Sequence, residues 1–133
     1  MNARSPKTPG VSRGNGPTPK PRGQALPLTV VGCDFRVASS AWRDAVLLDA
    51  SARAVLLERL GRSAGAVGLV VLETCNRVEW LIEAPDPRWT ADLARAAMQA
   101  QWRAAGMTGP LPTPYVAVEE DAVRHLARVV VGL

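Results

Sequence analysis

The chain has 133 residues, enough for one domain with a real core and too few for two ordinary ones, so one chemistry or one binding surface is expected. Its formal charge of +4 is concentrated in the first 25 residues, where Arg4, Lys7, Arg13, Lys20 and Arg22 meet no acid. The remainder holds eleven basic residues against twelve acids, a net charge of −1, so charge by itself does not point the folded part toward a polyanion.

Residues 1 to 26 are rich in Pro, Gly, Ser and Thr and offer almost nothing to bury, which predicts a disordered or extended basic leader. The leader contains no apolar stretch of the kind a secretory signal needs, and its prolines forbid the amphipathic helix of a transit peptide. No run of 18 apolar residues predicts a membrane span. Two cysteines, Cys33 and Cys75, without an export signal predict a reducing, cytoplasmic compartment rather than a disulfide framework. With a single histidine at a distant position they make no zinc pattern.

The globular part is expected over residues 27 to 133. LTVVGCDF (28 to 35) reads as a first, β-branched strand, with Gly32 marking a close backbone approach. Asp49 stands as an N-cap before a helix over about 50 to 62, with Ala52, Val55, Leu56 and Leu60 on its inward face. VGLVVLE (67 to 73) reads as a buried strand. RVEWLIEA (77 to 84) alternates as its partner, Val78, Trp80 and Ile82 opposing Arg77, Glu79, Leu81 and Glu83, and a tight turn between the two carries Cys75. Thr90 then caps a second helix whose inward face runs through Leu93, Ala97, Ala100 or Gln101, and Ala104, with Gly106 as terminator. YVAVE (115 to 119) is a short fourth strand. A third helix opens with three acids and turns Ala122, Val123, Leu126, Val129 and Val130 inward. The order β α β β α β α, two β-α-β halves about a central hairpin, predicts an α+β ferredoxin-like sandwich: a four-stranded antiparallel sheet with helices on one face.

The stretch ETCNRVEW (73 to 80) poses the functional question. A lone cysteine at a strand end is ordinarily a small buried hydrophobe. A reactive thiol needs partial exposure and a nearby positive charge, and here Thr74, Asn76 and Arg77 supply hydroxyl, amide and guanidinium groups around a turn that lifts the sulfur from the sheet. Trp42, Trp80 and Trp102 are assigned to packing.

Read together with EEDAVRHLARVVVGL near the other end, this stretch resembles glutamyl-tRNA reductase, the first committed enzyme of five-carbon tetrapyrrole synthesis toward 5-aminolevulinate. The family shows Ser/Thr-Cys-Asn-Arg-x-Glu and, about fifty residues on, Ala-Val-x-His-Leu-x-Arg-Val-x-x-Gly-Leu. The matching residues are Thr74, Cys75, Asn76, Arg77 and Glu79, then Ala122, Val123, His125, Leu126, Arg128, Val129, Gly132 and Leu133. The resemblance covers about residues 28 to 133 and implies the family's N-terminal catalytic domain, with the ferredoxin-like fold. It implies Cys75 as nucleophile on the ester of glutamyl-tRNA, forming a thioester that NADPH reduces to glutamate-1-semialdehyde. It further implies Arg77 on the substrate carboxylate, Thr74 on the glutamyl group or the turn, and His125 near the sulfur as base or orienting group. Asn76 and Glu79 join the substrate-binding set, although Glu79 also reads as an exposed strand residue paired with Arg77.

Two departures stand out. Where the family's first strand runs into Gly-x-Asn-His-Lys-Thr-Ala-Pro, this chain has GCDFRVASS, so Asp34, Phe35, Val37 and Ser39 replace Asn, His, Thr and Pro. No Gly-x-Gly-x-x-Gly follows a strand, so no NADPH site is expected in this chain. Two functions are therefore weighed: the acyl-transfer domain of the reductase, or a noncatalytic relative that binds glutamyl-tRNA or a pathway partner. On the first, a separate NADPH-binding polypeptide or glutamate-1-semialdehyde aminomutase is an expected partner. The leader is then either solvated or a nonspecific holder of tRNA phosphates. Surplus apolar residues on the last helix (Val129, Val130, Val131, Leu133) predict self-association or a partner there.

Overall fold

The computed structural model describes residues 25–132; the basic leader, apart from Ala25 and Leu26, and Leu133 lie outside the described residues. The element order is β1 (Leu28–Asp34), α1 (Ser40–Asp44), α2 (Ala50–Ala64), β2 (Gly68–Thr74), β3 (Arg77–Glu83), α3 (Pro87–Ala104), β4 (Tyr115–Val118) and α4 (Glu119–Val130). The strands form one four-stranded sheet in the order β2-β3-β1-β4, every neighbouring pair antiparallel. This is the expected ferredoxin-like α+β arrangement.

The register separates the two faces of the sheet. Val31 pairs with Trp80, Cys33 with Val78 and Thr29 with Ile82, so these residues share the face that meets α1 to α3. There Val31, Cys33, Val78, Trp80 and Ile82 join Leu56, Leu60, Ala94, Met98 and Trp102 in one buried cluster. Two large indoles can be buried because their N–H groups are satisfied: Trp80 donates to the Val46 carbonyl (3.1 Å) and Trp102 to that of Trp42 (2.7 Å). Trp42 itself meets Trp102 edge to face at 5.6 Å. The fourth helix is laid out differently from the expected single layer. It packs on β1 and β4, and its His125 reaches Glu79, which belongs to the opposite face with Gly32, Val30 and Tyr115.

Several local expectations are corrected. In α2 the cap is Asp49, whose carboxylate accepts the Ala52 N–H at 2.7 Å, but the helix runs on to Ala64 and closes on Gly65 in the left-handed region. Leu56, Leu60 and Ala64 are its buried residues, whereas Val55 is exposed. The α3 cap is Asp86 rather than Thr90: Asp86 accepts the Trp89 N–H at 3.0 Å and Pro87 occupies the first turn, where its missing N–H costs nothing. Thr90 lies inside the helix with its hydroxyl on the Asp86 carbonyl. The inward face also differs from the expected one: Ala91, Ala94, Met98 and Trp102 are buried. Strand β2 is an edge strand, not a buried one, with Val70 exposed. On α4 only Ala122 is fully buried; Val123 and Val130 face out, since one side of a lone helix on a sheet is all that can be covered. The short α1 was not expected, because five residues carry no readable period.

Candidate functional site

On the face beneath α4, one row of residues crosses the sheet: Leu72 beside Glu79, Glu79 beside Gly32, Gly32 beside Tyr115. Gly32 has no Cβ, and a built one would stand 2.7 Å from Glu79 Cγ and 2.8 Å from the Val78 carbonyl. Its absence leaves space in which Tyr115 reaches across to donate its hydroxyl to Glu79 Oε1 at 2.6 Å. His125 descends from α4 with Nε2 on the same oxygen, and its ring lies 5.4 Å from that of Tyr115. Arg77, one row nearer the hairpin, places Nη1 3.5 Å from Oε1. Glu79 is wholly buried and its Oε2 has no partner among the described residues. The reading of Glu79 as an exposed strand residue is thus corrected: it does pair with Arg77, but as the center of a covered cluster. Burial first, and then the carboxylate it donates to, pushes the Tyr115 phenol far above its ordinary value.

Above this cluster opens a cleft of about 340 Å³ lined by Phe35, Arg36, Arg77, His125, Arg128 and Val129. Three guanidiniums and an imidazole around one space, with no acid in the lining, suit an anionic or carboxylate-bearing ligand. Arg128 and Val129 lie three and four residues after His125, hence on the same side of α4. A larger apolar hollow of about 610 Å³ lies elsewhere, between Ala25, Leu26 and Leu28 and the start of α4, and holds none of the candidate residues.

Cys75 is exposed, at the two-residue link between Thr74 and Arg77. Neither Cys75 nor Asn76 has a positive φ, so the turn is not one of the primed types that match strand twist. It is held from outside instead. The Thr74 hydroxyl accepts the Asn76 N–H at 3.3 Å, the Asn76 carbonyl accepts the Phe35 N–H at 2.9 Å, and Arg43 bonds the Ala38 carbonyl at 2.8 Å and approaches that of Cys75 at 3.4 Å. Of the predicted residues, Arg77, Glu79 and His125 come together; Thr74, Cys75 and Asn76 form the adjoining turn. The described hydrogen bonds of His125 go to Glu79, and none reaches the thiol.

The altered segment after β1 keeps its shape through Asp34. Its carboxylate accepts the Arg36 backbone N–H at 2.9 Å and the Arg36 guanidinium at 2.7 Å, and its carbonyl accepts from Val37 and Ala38. Burial raises the carboxyl, but the Arg36 bonds and charge and the Val37 N–H outweigh it and leave its pKa below the usual carboxylate range. Phe35 stands 61 % exposed at the rim of the cleft, where the family pattern has an imidazole. The other thiol, Cys33, is fully buried, and desolvation pushes it up to about 11, which fits a packing residue. Among the described residues no group of three or more His, Cys, Asp or Glu could hold a metal ion, and no helix is long and apolar enough to cross a membrane.

Arg36 and Arg43 belong to the segment after β1 that the resemblance sets beside the site; sequence reasoning missed Tyr115 there and gave Arg128 no role in it. For Arg128 the signal was present in its spacing from His125. Tyr115 could be found only from the register across Gly32.

The family model for "Glutamyl-tRNAGlu reductase, N-terminal domain" matches residues 31–133. The chain is 37% identical over 112 residues to the glutamyl-tRNA reductase of Herpetosiphon aurantiacus, covering 81% of this chain and 25% of that protein. It is 32% identical over 109 residues to that of Pseudomonas aeruginosa, covering 77% of this chain and 24% of the relative. The Streptomyces avermitilis protein of the same name is 33% identical over 109 residues, covering 81% of this chain and 19% of its own length. The chain therefore spans about a quarter or less of the curated relatives it matches.

Proposed function

The chain belongs to the family of glutamyl-tRNA reductase N-terminal domains, and from that premise we propose that it carries out the acyl-transfer half of the reductase reaction of tetrapyrrole biosynthesis. In this reading the Cys75 sulfur attacks the ester carbonyl of glutamyl-tRNA. A sulfur–carbon bond forms, the bond from that carbon to the ribose oxygen breaks, and the departing tRNA hydroxyl takes up the proton the thiol gave up. The product is a glutamyl thioester on Cys75. Arg77, with Arg128 across the cleft, receives the carboxylate of the glutamyl group, and Thr74 and Asn76 shape the turn that presents the sulfur. The reading is supported foremost by an exposed thiol one turn from a cleft lined by three arginines and a histidine, in a chain of this family.

Reduction of the thioester to glutamate-1-semialdehyde calls for NADPH, by the family's name and chemistry. The described residues do not fit that cofactor: the sheet is antiparallel throughout and offers no glycine-rich turn from a parallel strand into a helix to receive a pyrophosphate. No hydride step is assigned to these residues, and a separate NADPH-binding segment or polypeptide would supply it.

A second reading, a noncatalytic module that binds glutamyl-tRNA or a pathway partner, is favored by Phe35 in place of the family's imidazole at the rim of the cleft. One experiment separates the two. Purified chain is mixed with glutamyl-tRNA labeled on the glutamyl group, beside Cys75→Ser. Trapped label on the wild type alone supports acyl transfer. Bound tRNA with no trapped label on either protein refutes it and leaves the binding module.

A further inference from the structure

The geometry points to Tyr115 as a positioning residue that, through Glu79, holds His125 in the tautomer with its proton on Nε2 and so leaves Nδ1 as the ring nitrogen free to exchange a proton.

A carboxylate oxygen only accepts hydrogen bonds, so both groups that converge on Glu79 Oε1 must donate. Tyr115 does so through its hydroxyl at 2.6 Å. His125 does so through Nε2, which fixes the proton there and makes Nδ1 the unprotonated nitrogen of the neutral ring. The described hydrogen bonds engage Nε2 and leave Nδ1 unengaged, on a ring that lines the arginine cleft.

The carboxylate is held by one oxygen alone. Oε2 is buried and has no partner among the described residues, and Arg77 stands at 3.5 Å, too far for a strong hydrogen bond. The rotation of the carboxylate about its last torsion is therefore set by Tyr115 and His125 together. Tyr115 is the rigid member of that pair. It is anchored in a strand directly across Gly32, whereas His125 is the group being aimed. Without the phenol, Glu79 can turn either oxygen toward Arg77, and the hold on Nε2 is weakened.

The use of Nδ1 rests on the acyl-transfer reading, in which it takes the Cys75 proton or returns it to the departing ribose oxygen. The tautomer itself does not rest on that reading, and its test needs no tRNA. The untagged chain has one histidine and one tyrosine, so ¹⁵N-histidine labeling gives a single pair of ring nitrogens. In an alkaline sample, where an ordinary imidazole is neutral, the wild type should show a protonated Nε2 and an unprotonated Nδ1. In Tyr115→Phe the two nitrogen shifts should draw together as both tautomers become populated. Should that variant fail to fold, 3-fluorotyrosine at position 115 keeps the ring and alters only the strength of the donor, and the histidine shifts should move. A proton on Nδ1 in the wild type, or histidine shifts unmoved by either change at Tyr115, overturns the proposal. Where the wild type is acylated, Tyr115→Phe should slow acylation by on the order of tenfold at saturating glutamyl-tRNA with little change in half-saturation. A wild type that is never acylated defeats the acyl-transfer reading and leaves the spectroscopic result to decide this one.

Discussion

Replacing Gly32 by alanine is a test of the whole arrangement, because one methyl group would enter the space that the Glu79 cluster occupies. The new Cβ would lie 2.7 Å from Glu79 Cγ, 2.8 Å from the Val78 carbonyl oxygen and 3.2 Å from Glu79 Cα. Two of these three atoms are backbone of a paired central strand, so relief by rotating a side chain is partial at best. Overpacking of this kind costs about 1–3 kcal/mol. Displacing Glu79 also weakens its hydrogen bond with Tyr115, worth about 1.5–3 kcal/mol for a charged acceptor. The loss of glycine's freedom in the unfolded chain offsets about 0.4–1 kcal/mol. A net destabilization of about 3 kcal/mol is expected, a fall in Tm of roughly 12 °C at about 4 °C per kcal/mol for a domain near 100 residues. Urea unfolding followed by tryptophan fluorescence would measure it, together with Gly32→Ala in a Glu79→Ala background, where one clash and the hydrogen bond are already gone and the cost should fall to about 1–2 kcal/mol. A single-variant cost below about 1 kcal/mol, or the same cost in both backgrounds, would refute the reasoning.

Three further outcomes are expected. Asp34 has a lowered pKa, so its contribution to stability is present above the ordinary carboxylate range near about 4 and is lost as pH falls through the lowered value. Asp34→Asn, which keeps an oxygen for the Arg36 N–H, should flatten the acid limb of Tm against pH; because the Arg36 side chain is mostly in water, the effect is held to about 1 kcal/mol or less. A thiol reagent at neutral pH should modify Cys75 in the native protein and reach Cys33 only on unfolding, since burial both covers the latter and pushes it up to about 11; two thiols reacting at one rate in the folded state would contradict this. Arg128→Ala should weaken competition by free glutamate or a similar dicarboxylate for the cleft by about 1–2 kcal/mol, read as a tenfold or so rise in inhibition constant, with Tm unchanged because the side chain is exposed.

The candidate site was legible in parts that differ in kind. Thr74 to Glu79 offered a thiol among hydroxyl, amide and guanidinium groups at a strand end, a weak signal alone that gained weight from the resemblance of this stretch and the one around His125 to the family. The dependence of Glu79 on Tyr115 was not legible. The two are 36 residues apart, and nothing in either segment says that β1 will lie between them with a glycine at the crossing. The same limit explains Thr90. The pair Asp86-Pro87 carries the true cap signal, but PDPRWT reads as a loop with Thr90 as the cap unless the helix is known to begin at Pro87. The inward face of α3 runs through Ala94, Met98 and Trp102, one residue on from the expected Leu93, Ala97 and Gln101, because packing against the sheet and not the cap selects the face.

By itself the sequence determined the order of strands and helices apart from the short α1, the antiparallel α+β class, the turn position of Cys75, the packing of Trp80 and Trp102 and the need for glycine at 32. These follow from local periodicity, turn chemistry and the size of side chains, all of which act over a few residues. Only the tertiary structure decided that α4 lies over the Glu79 row, that Glu79 is buried rather than exposed, and that Arg36, Arg77 and Arg128 share one cleft with His125. Each of these depends on strand register and on which face of the sheet a helix covers, and register is fixed by the sum of many weak contacts between segments distant in sequence rather than by any residue's own preference.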